Sequence, residues 1–230
     1  MAAPKTRLSA GRFLGWPVFV VAAALVVYVV PGANGTLVYD RGAILHGEVW
    51  RLVTGHWVHF SPSQLSCDVA VLGISGWLIG ARGDRNFAVL CLLAAVAIGS
   101  VLLILEPGLA YYGGLSGIGM ASTVYLALQA LHEPPPWRGA ALAVLVACIA
   151  KMVVEQATGH FALVAADPER VVPVPASHLV GAASGATVYL WCRIRRSRLA
   201  MRREGIVNGA RSSIDLGSAN GMARLLGKDS

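Results

Sequence analysis

The sequence reads as an all-α, polytopic membrane protein built as a six-helix bundle, on three grounds. Apolar residues make up 56% of the 230 and charged residues only 13%, about half a soluble domain's share, with a mean hydropathy of +0.62. Six apolar segments follow one another, each bounded by charge, Pro or Gly. Threaded through a bilayer, they leave 15 basic residues on one side and three on the other, as the positive-inside rule requires.

The first segment, Phe13–Val30, follows Lys5, Arg7 and Arg12. Its apolar run exceeds the core of a secretory signal, and Val29-Val30-Pro31 lacks the small residues of a cleavage site, so it reads as a retained anchor. The second and third, Pro62–Ala81 and Phe87–Leu105, are joined by a loop carrying Arg82 and Arg85. The fourth covers Leu115–Leu131, the fifth Ala140–Val154 and the sixth Ser177–Cys192. Several fall short of the roughly 20 residues of an ideal span, which a packed bundle tolerates.

With the N-terminus inside, the cytoplasmic side receives Lys5, Arg7, Arg12, Arg82, Arg85, Arg138 and the nine basic residues of the tail. The outer side receives Arg41, Arg51 and Arg170, and Lys151 lies within a span. The organisation predicted is a cytoplasmic N-terminus over 1–12, a membrane domain over 13–192 and a basic, flexible cytoplasmic tail over 193–230. In that tail Arg193, Arg195, Arg196 and Arg198 are placed to meet anionic lipid. There is no internal repeat and no soluble domain.

The net charge of +7 does not point to nucleic acid, because the basic residues sit at span ends without interleaved aromatics. Cys67, Cys91, Cys148 and Cys192 form no CxxC pair and read as small buried hydrophobes. No HExxH, paired GxxxD or Cys/His cluster is present, so neither a metal nor another cofactor is expected.

In this topology the second, fourth and sixth segments all begin at the outer side. The polar residues hardest to explain as lipid-facing gather at those starts: His56, His59 and Gln64, then Ser116, then His178. Ser116 lies in Tyr112-Gly113-Gly114-Leu115-Ser116-Gly117-Ile118-Gly119. A serine hydroxyl needs a base to become a nucleophile, and a glycine-flanked helix start offers close approach and unpaired N–H groups for an oxyanion. The plainer reading is small-residue helix packing. His178 shifts the balance, because helical spacing places it above Gly181 and Gly185 on one face. That face lets the sixth helix press close to a neighbour and brings an imidazole to the depth of Ser116; an intramembrane ionisable group is functional by default.

These residues carry a resemblance. Trp50-Arg51, His56-x-x-His59-Phe60, Gly114-Leu115-Ser116-Gly117 and His178-x-x-Gly181-x-x-x-Gly185 are similar, in order and spacing over Trp50 to Trp191, to the rhomboid intramembrane proteases. The strings Trp50-Arg51-Leu52-Val53-Thr54-Gly55-His56, Tyr112-Gly113-Gly114-Leu115-Ser116-Gly117 and Lys151-Met152-Val153-Val154-Glu155-Gln156 resemble the rhombosortase branch, bacterial proteins thought to process substrates with a C-terminal Gly-Gly sorting tail. The resemblance implies a Ser–His dyad without an aspartate, Ser116 attacking the scissile carbonyl and His178 shuttling the proton. It further implies an oxyanion site from the Ser116 N–H, Leu115, His59, Gln64 and Asp68, with Gly114, Gly117, Gly181 and Gly185 packing around it. It implies membrane-anchored protein substrates, the lipid bilayer as surroundings, and a bacterial cytoplasmic membrane with the site near the outer face.

The sequence departs from that pattern in three places. Gln64 stands where a second histidine is usual, Asp68 where an asparagine is usual and Met120 where a tyrosine often supports the histidine ring. Gln64 still donates a hydrogen bond, whereas Asp68 donates only if protonated. Lys151 and Glu155, four apart on the fifth segment, read as a structural ion pair near the outer interface, with Gln156 capping or hydrating that end and substrate gating as the sharper alternative. His46 and His160 read as solvated loop residues. The competing functions are a catalytically inactive rhomboid-like binding protein, which the presence of both Ser116 and His178 opposes, and a small transporter, which the absence of a repeat opposes.

Overall fold

A computed structural model describes the backbone of residues 15–159 and 174–225, and the side chains of those up to 199 together with 201 and 202. The N-terminal residues 1–12, together with His160 and Arg170, lie outside the described residues. Two compact units divide the chain, Met1–Tyr189 and Leu190–Ser230.

Each of the six apolar segments falls on a helix. The elements in order are α1 (Gly15–Val29), α2 (Ala33–Leu37), β1 (Tyr39–Asp40), α3 (Arg41–Leu45), α4 (Arg51–Thr54) and a 3-10 turn (Gly55–Trp57). There follow α5 (Pro62–Ala81), α6 (Phe87–Leu105), β2 (Tyr111–Tyr112), α7 (Ser116–Ala130), α8 (Trp137–Thr158) and α9 (Pro175–Leu225). Among the described residues α5, α6 and α8 are long and apolar enough to cross a membrane, and α1 is a shorter apolar helix. Pro62 at the first helical position and the Ser61 hydroxyl, which accepts from the Gln64 N–H at 3.2 Å, start α5 where the sequence places it.

Helix starts agree with the sequence reading to within a turn, but two helix ends run well beyond it. The fifth helix extends past Val154 to Thr158 and closes on Gly159, whose φ of 68° suits glycine, so the helix end falls there and Gln156 is simply exposed. The sixth does not end at Cys192, because α9 continues to Leu225. What ends at Cys192 is the apolar run; the Arg and Ala residues that follow favour helix, and no proline interrupts them.

The core sits around α7, which packs against α5, α6 and α8 and buries ten of its 15 residues. The first turns of α9 lie directly on α7. A Cβ built on Gly181 would collide with the Gly117 carbonyl oxygen, and one on Gly185 with that of Ala121. Small residues therefore let two backbones touch, as membrane helices require when no water drives them together. By contrast α8 is mostly outward-facing; its buried residues are Ala141, Cys148 and Glu155, a seven-residue stripe.

The segment between α1 and α5 is pinned rather than loose. Arg51 is buried; its Nη1 donates to the Gly35 and Val38 carbonyls at 3.0 Å each, and its Nε to Glu48 at 2.7 Å. A short antiparallel ladder, Tyr39 opposite Tyr112 and Asp40 opposite Tyr111, ties this segment to the chain entering α7. At the other end of the bundle buried Asp84 accepts from the Tyr125 hydroxyl and the Gln129 amide, each at 2.6 Å.

Candidate active site

The chain reaching Ser116 is held group by group. Gly114 has φ 127°, a conformation L side chains rarely adopt, and a Cβ there would lie 2.6 Å from the Gln64 amide nitrogen. Gln64 Nε2 donates to the Gly113 carbonyl at 3.0 Å while its Oε1 accepts from the Phe60 N–H at 3.0 Å. The Leu115 N–H donates to Asp68 Oδ2 at 2.9 Å, and His59 Nε2 lies 3.2 Å from the same oxygen. Ser116 is thereby set as the first residue of α7, half-buried, where the helix leaves unpaired N–H groups.

His56 and His59 act on this frame from beneath. The His56 ring lies between two carbonyls, Ala95 at 3.1 Å from Nε2 and Gly114 at 3.3 Å from Nδ1. Burial pushes its pKa below 6.5 despite both carbonyls, so the ring is neutral and donates to one of them at a time. His59 is buried, with Nδ1 3.1 Å from the Trp57 carbonyl as well as Nε2 on Asp68. Tyr112 packs edge-on to His56, and burial pushes its phenol upward, so it stays protonated.

His178 enters from α9. It is 2% exposed, and a Cβ on Gly117 would meet the carbonyl oxygen of the preceding Ser177 at 3.0 Å. The first turn of α9 thus abuts the residue after Ser116. His178 Nδ1 lies 2.6 Å from Glu155 Oε2; the other Glu155 oxygen accepts from Lys151 Nζ at 2.5 Å, and that nitrogen lies 3.2 Å from Nδ1. Glu155 is completely buried. His178 Nε2 is also buried and, among the described residues, has no hydrogen-bond partner; the bond from Ser116 to this nitrogen is not made.

Ser116 and His178 open on one cavity of about 240 Å³, lined also by Gln64, Cys67 and Asp68 of α5, Gly119 and Met120 of α7, and Lys151 and Glu155 of α8. A second cavity of about 410 Å³, continuing toward Arg82 and Trp137, shares Val71, Thr123 and Val144 with it. Together they form a groove floored by α7 between α5 and α8.

The sequence-predicted residues converge, with differences in what they do. Leu115 and Asp68, implied as oxyanion support, satisfy one another: a carboxylate oxygen that accepts a backbone N–H is no donor, and that N–H is spent. His59 is likewise committed to Asp68. Gln64 keeps a second amide hydrogen after binding Gly113 and lines the cavity, so it retains a donor to offer. Met120, in the usual tyrosine position, is buried beside Val124 and Cys148. Sequence reasoning pairs Glu155 with Lys151 but misses its bond to His178. The available signal was a carboxylate ending the buried stripe of α8, at the depth of His178.

A helical bundle with outward-facing apolar side chains and several helices long and apolar enough to cross a membrane defines a multi-pass membrane protein. The rhomboid domain model matches residues 46–196, and the chain belongs to the rhomboid family, a family of intramembrane proteases. A search of the curated proteins found no match.

Proposed function

We propose that the protein is an intramembrane serine endopeptidase in which Ser116 is the nucleophile and His178 its base. The observation that carries this reading is the buried His178 Nε2, without a hydrogen-bond partner among the described residues, at the cavity onto which Ser116 opens. Nε2 takes the hydroxyl proton as Ser116 Oγ adds to the scissile carbonyl, then gives it to the leaving amine; water, activated by the same nitrogen, releases the acyl group. The Ser116 N–H and the second Gln64 amide hydrogen stabilise the oxyanion. Membrane-anchored substrates reach Ser116 along the groove between α5 and α8, and the rhombosortase-like strings favour C-terminal Gly-Gly tails among them. The bundle spans a bacterial cytoplasmic membrane six times, both termini inside.

A second reading, an inactive rhomboid-like binding protein, draws on the missing Ser116–His178 hydrogen bond. Such bonds are often long until substrate binds, which keeps the protease reading ahead. Purified protein in proteoliposomes with a Gly-Gly-tailed, membrane-anchored reporter separates the two. Wild type cleaves it, whereas Ser116→Ala and His178→Ala do not; equal reporter binding without cleavage by all three establishes the binding protein instead.

A further inference from the structure

The bond between Glu155 and His178 is not part of a two-residue Ser–His mechanism. Its geometry fixes where the imidazole proton sits. Glu155 Oε2 and His178 Nδ1 are 2.6 Å apart, too close for two bare acceptors, so a hydrogen lies between them. Lys151 Nζ donates to the other oxygen at 2.5 Å, so the carboxylate meets a donor on each side, and a carboxylate oxygen accepts. The hydrogen therefore belongs to Nδ1. Lys151 Nζ, 3.2 Å from the same nitrogen, faces an N–H rather than a lone pair and is held by Glu155, not by the ring. A neutral imidazole with its hydrogen on Nδ1 has its lone pair on Nε2, the buried nitrogen without a partner among the described residues.

Building on the protease reading, we infer that Glu155 is a positioning residue that makes the site a Ser116–His178–Glu155 triad, with Lys151 as the counter-ion that lets the carboxylate be buried. The cost of burying a carboxylate to 0% exposure is met by two charge-assisted donors, one from its own helix and one from α9. In return Glu155 selects the Nδ1–H tautomer, fixes the ring plane and stabilises the imidazolium as Nε2 takes the Ser116 proton. The proton that moves is the one between Oγ and Nε2; Glu155 stays ionised throughout.

The test is Glu155→Gln in the full-length protein, with Glu155→Asp and Lys151→Met/Glu155→Met beside it. In the Glu155→Gln variant the new side-chain carbonyl turns to Lys151 and the amide NH2 to His178, which forces the imidazole hydrogen onto Nε2. The expected loss in kcat is about 10³–10⁴-fold, the size seen when a triad carboxylate becomes an amide, with KM within about threefold. Glu155→Asp, which keeps the charge, recovers at least about tenfold of it. The paired methionine variant replaces a buried ion pair by apolar side chains, so it folds, and it is slower than wild type by about 100-fold. Nitrogen-15 histidine NMR, with the His178 signals assigned by their loss in His178→Ala, reads the tautomer without any turnover. Wild type shows hydrogen on Nδ1 and Glu155→Gln shows it on Nε2.

Wild-type hydrogen on Nε2 would overturn the inference, as would wild-type kcat in Glu155→Gln or in the paired variant. Those results leave the protease reading standing. Failure of wild type itself to cleave the reporter would sink that reading, while the tautomer measurement still decides the role of Glu155.

Discussion

Adding one methyl group at Gly181 tests whether the α7–α9 contact positions the site. In the native packing a Cβ at Gly181 would sit 2.9 Å from the Gly117 carbonyl carbon and 3.3 Å from its Cα, with the carbonyl oxygen closer still. Ordinary carbon contacts lie near 3.5–4.0 Å, and the obstacle is backbone, which has no rotamer with which to yield. The first turn of α9 must therefore move away from α7 by about 1 Å, carrying His178 with it. Overpacking of this kind costs about 1–3 kcal/mol of stability, and a shift of ~1 Å between reacting groups costs about 100-fold in rate. Gly181→Ala is thus expected to cleave a reporter about 100-fold more slowly while remaining folded. Gly139→Ala, where a Cβ meets nothing within 4 Å, and Gly73→Ala, where it meets Val21 at an ordinary 3.8 Å, serve as controls of unchanged rate. The assay is initial cleavage rate in proteoliposomes beside a thermal melt. A Gly181→Ala protein with wild-type rate and melting temperature would refute the packing argument.

The other predictions concern the frame around Ser116. Because burial holds His56 below its ordinary value, the unfolded chain binds a proton that the folded chain refuses as pH falls below about 6.5; stability drops there by up to ~1.4 kcal/mol per pH unit. Melts between about pH 7.5 and 5 show this slope, and His56→Gln removes that share of it. Asp68→Ala strands the Leu115 N–H and His59, so it costs about 2–4 kcal/mol and lowers cleavage as well; a change under ~0.5 kcal/mol in denaturant unfolding would contradict the anchoring role. Gln64→Met loses the bonds to Phe60 and Gly113 and the spare amide donor, and is expected to lower kcat by about 100-fold; unchanged kcat would remove Gln64 from oxyanion stabilisation.

Much of this architecture is legible in the amino-acid order because lipid imposes a simple rule. Backbone polar groups are satisfied within each helix, so an uninterrupted apolar run between breakers is a helix: Pro62–Ala81 and Phe87–Leu105 match to the residue. Charges are less legible, since whether a charge ends a span depends on what another helix offers it. Lys151 and Glu155 look in sequence like the approach to an interface, yet α8 runs through them because Glu155 turns inward to His178, 23 residues away. Arg51 reads as an outer-loop charge and is instead buried against the Gly35 and Val38 carbonyls. The convergence of Ser116, Gln64 and His178 follows from helix direction alone. That Asp68 accepts from Leu115 depends on a loop conformation set by Gly114, which no periodicity encodes.

Whether Ser116 is the nucleophile is decided by the site of covalent capture by a fluorophosphonate, mapped by mass spectrometry on the protein in proteoliposomes. A single phosphonylated peptide carrying the adduct on Ser116, abolished in Ser116→Ala and strongly slowed in His178→Ala, is the predicted result. An adduct on a different serine, or labelling undiminished in Ser116→Ala, would contradict it.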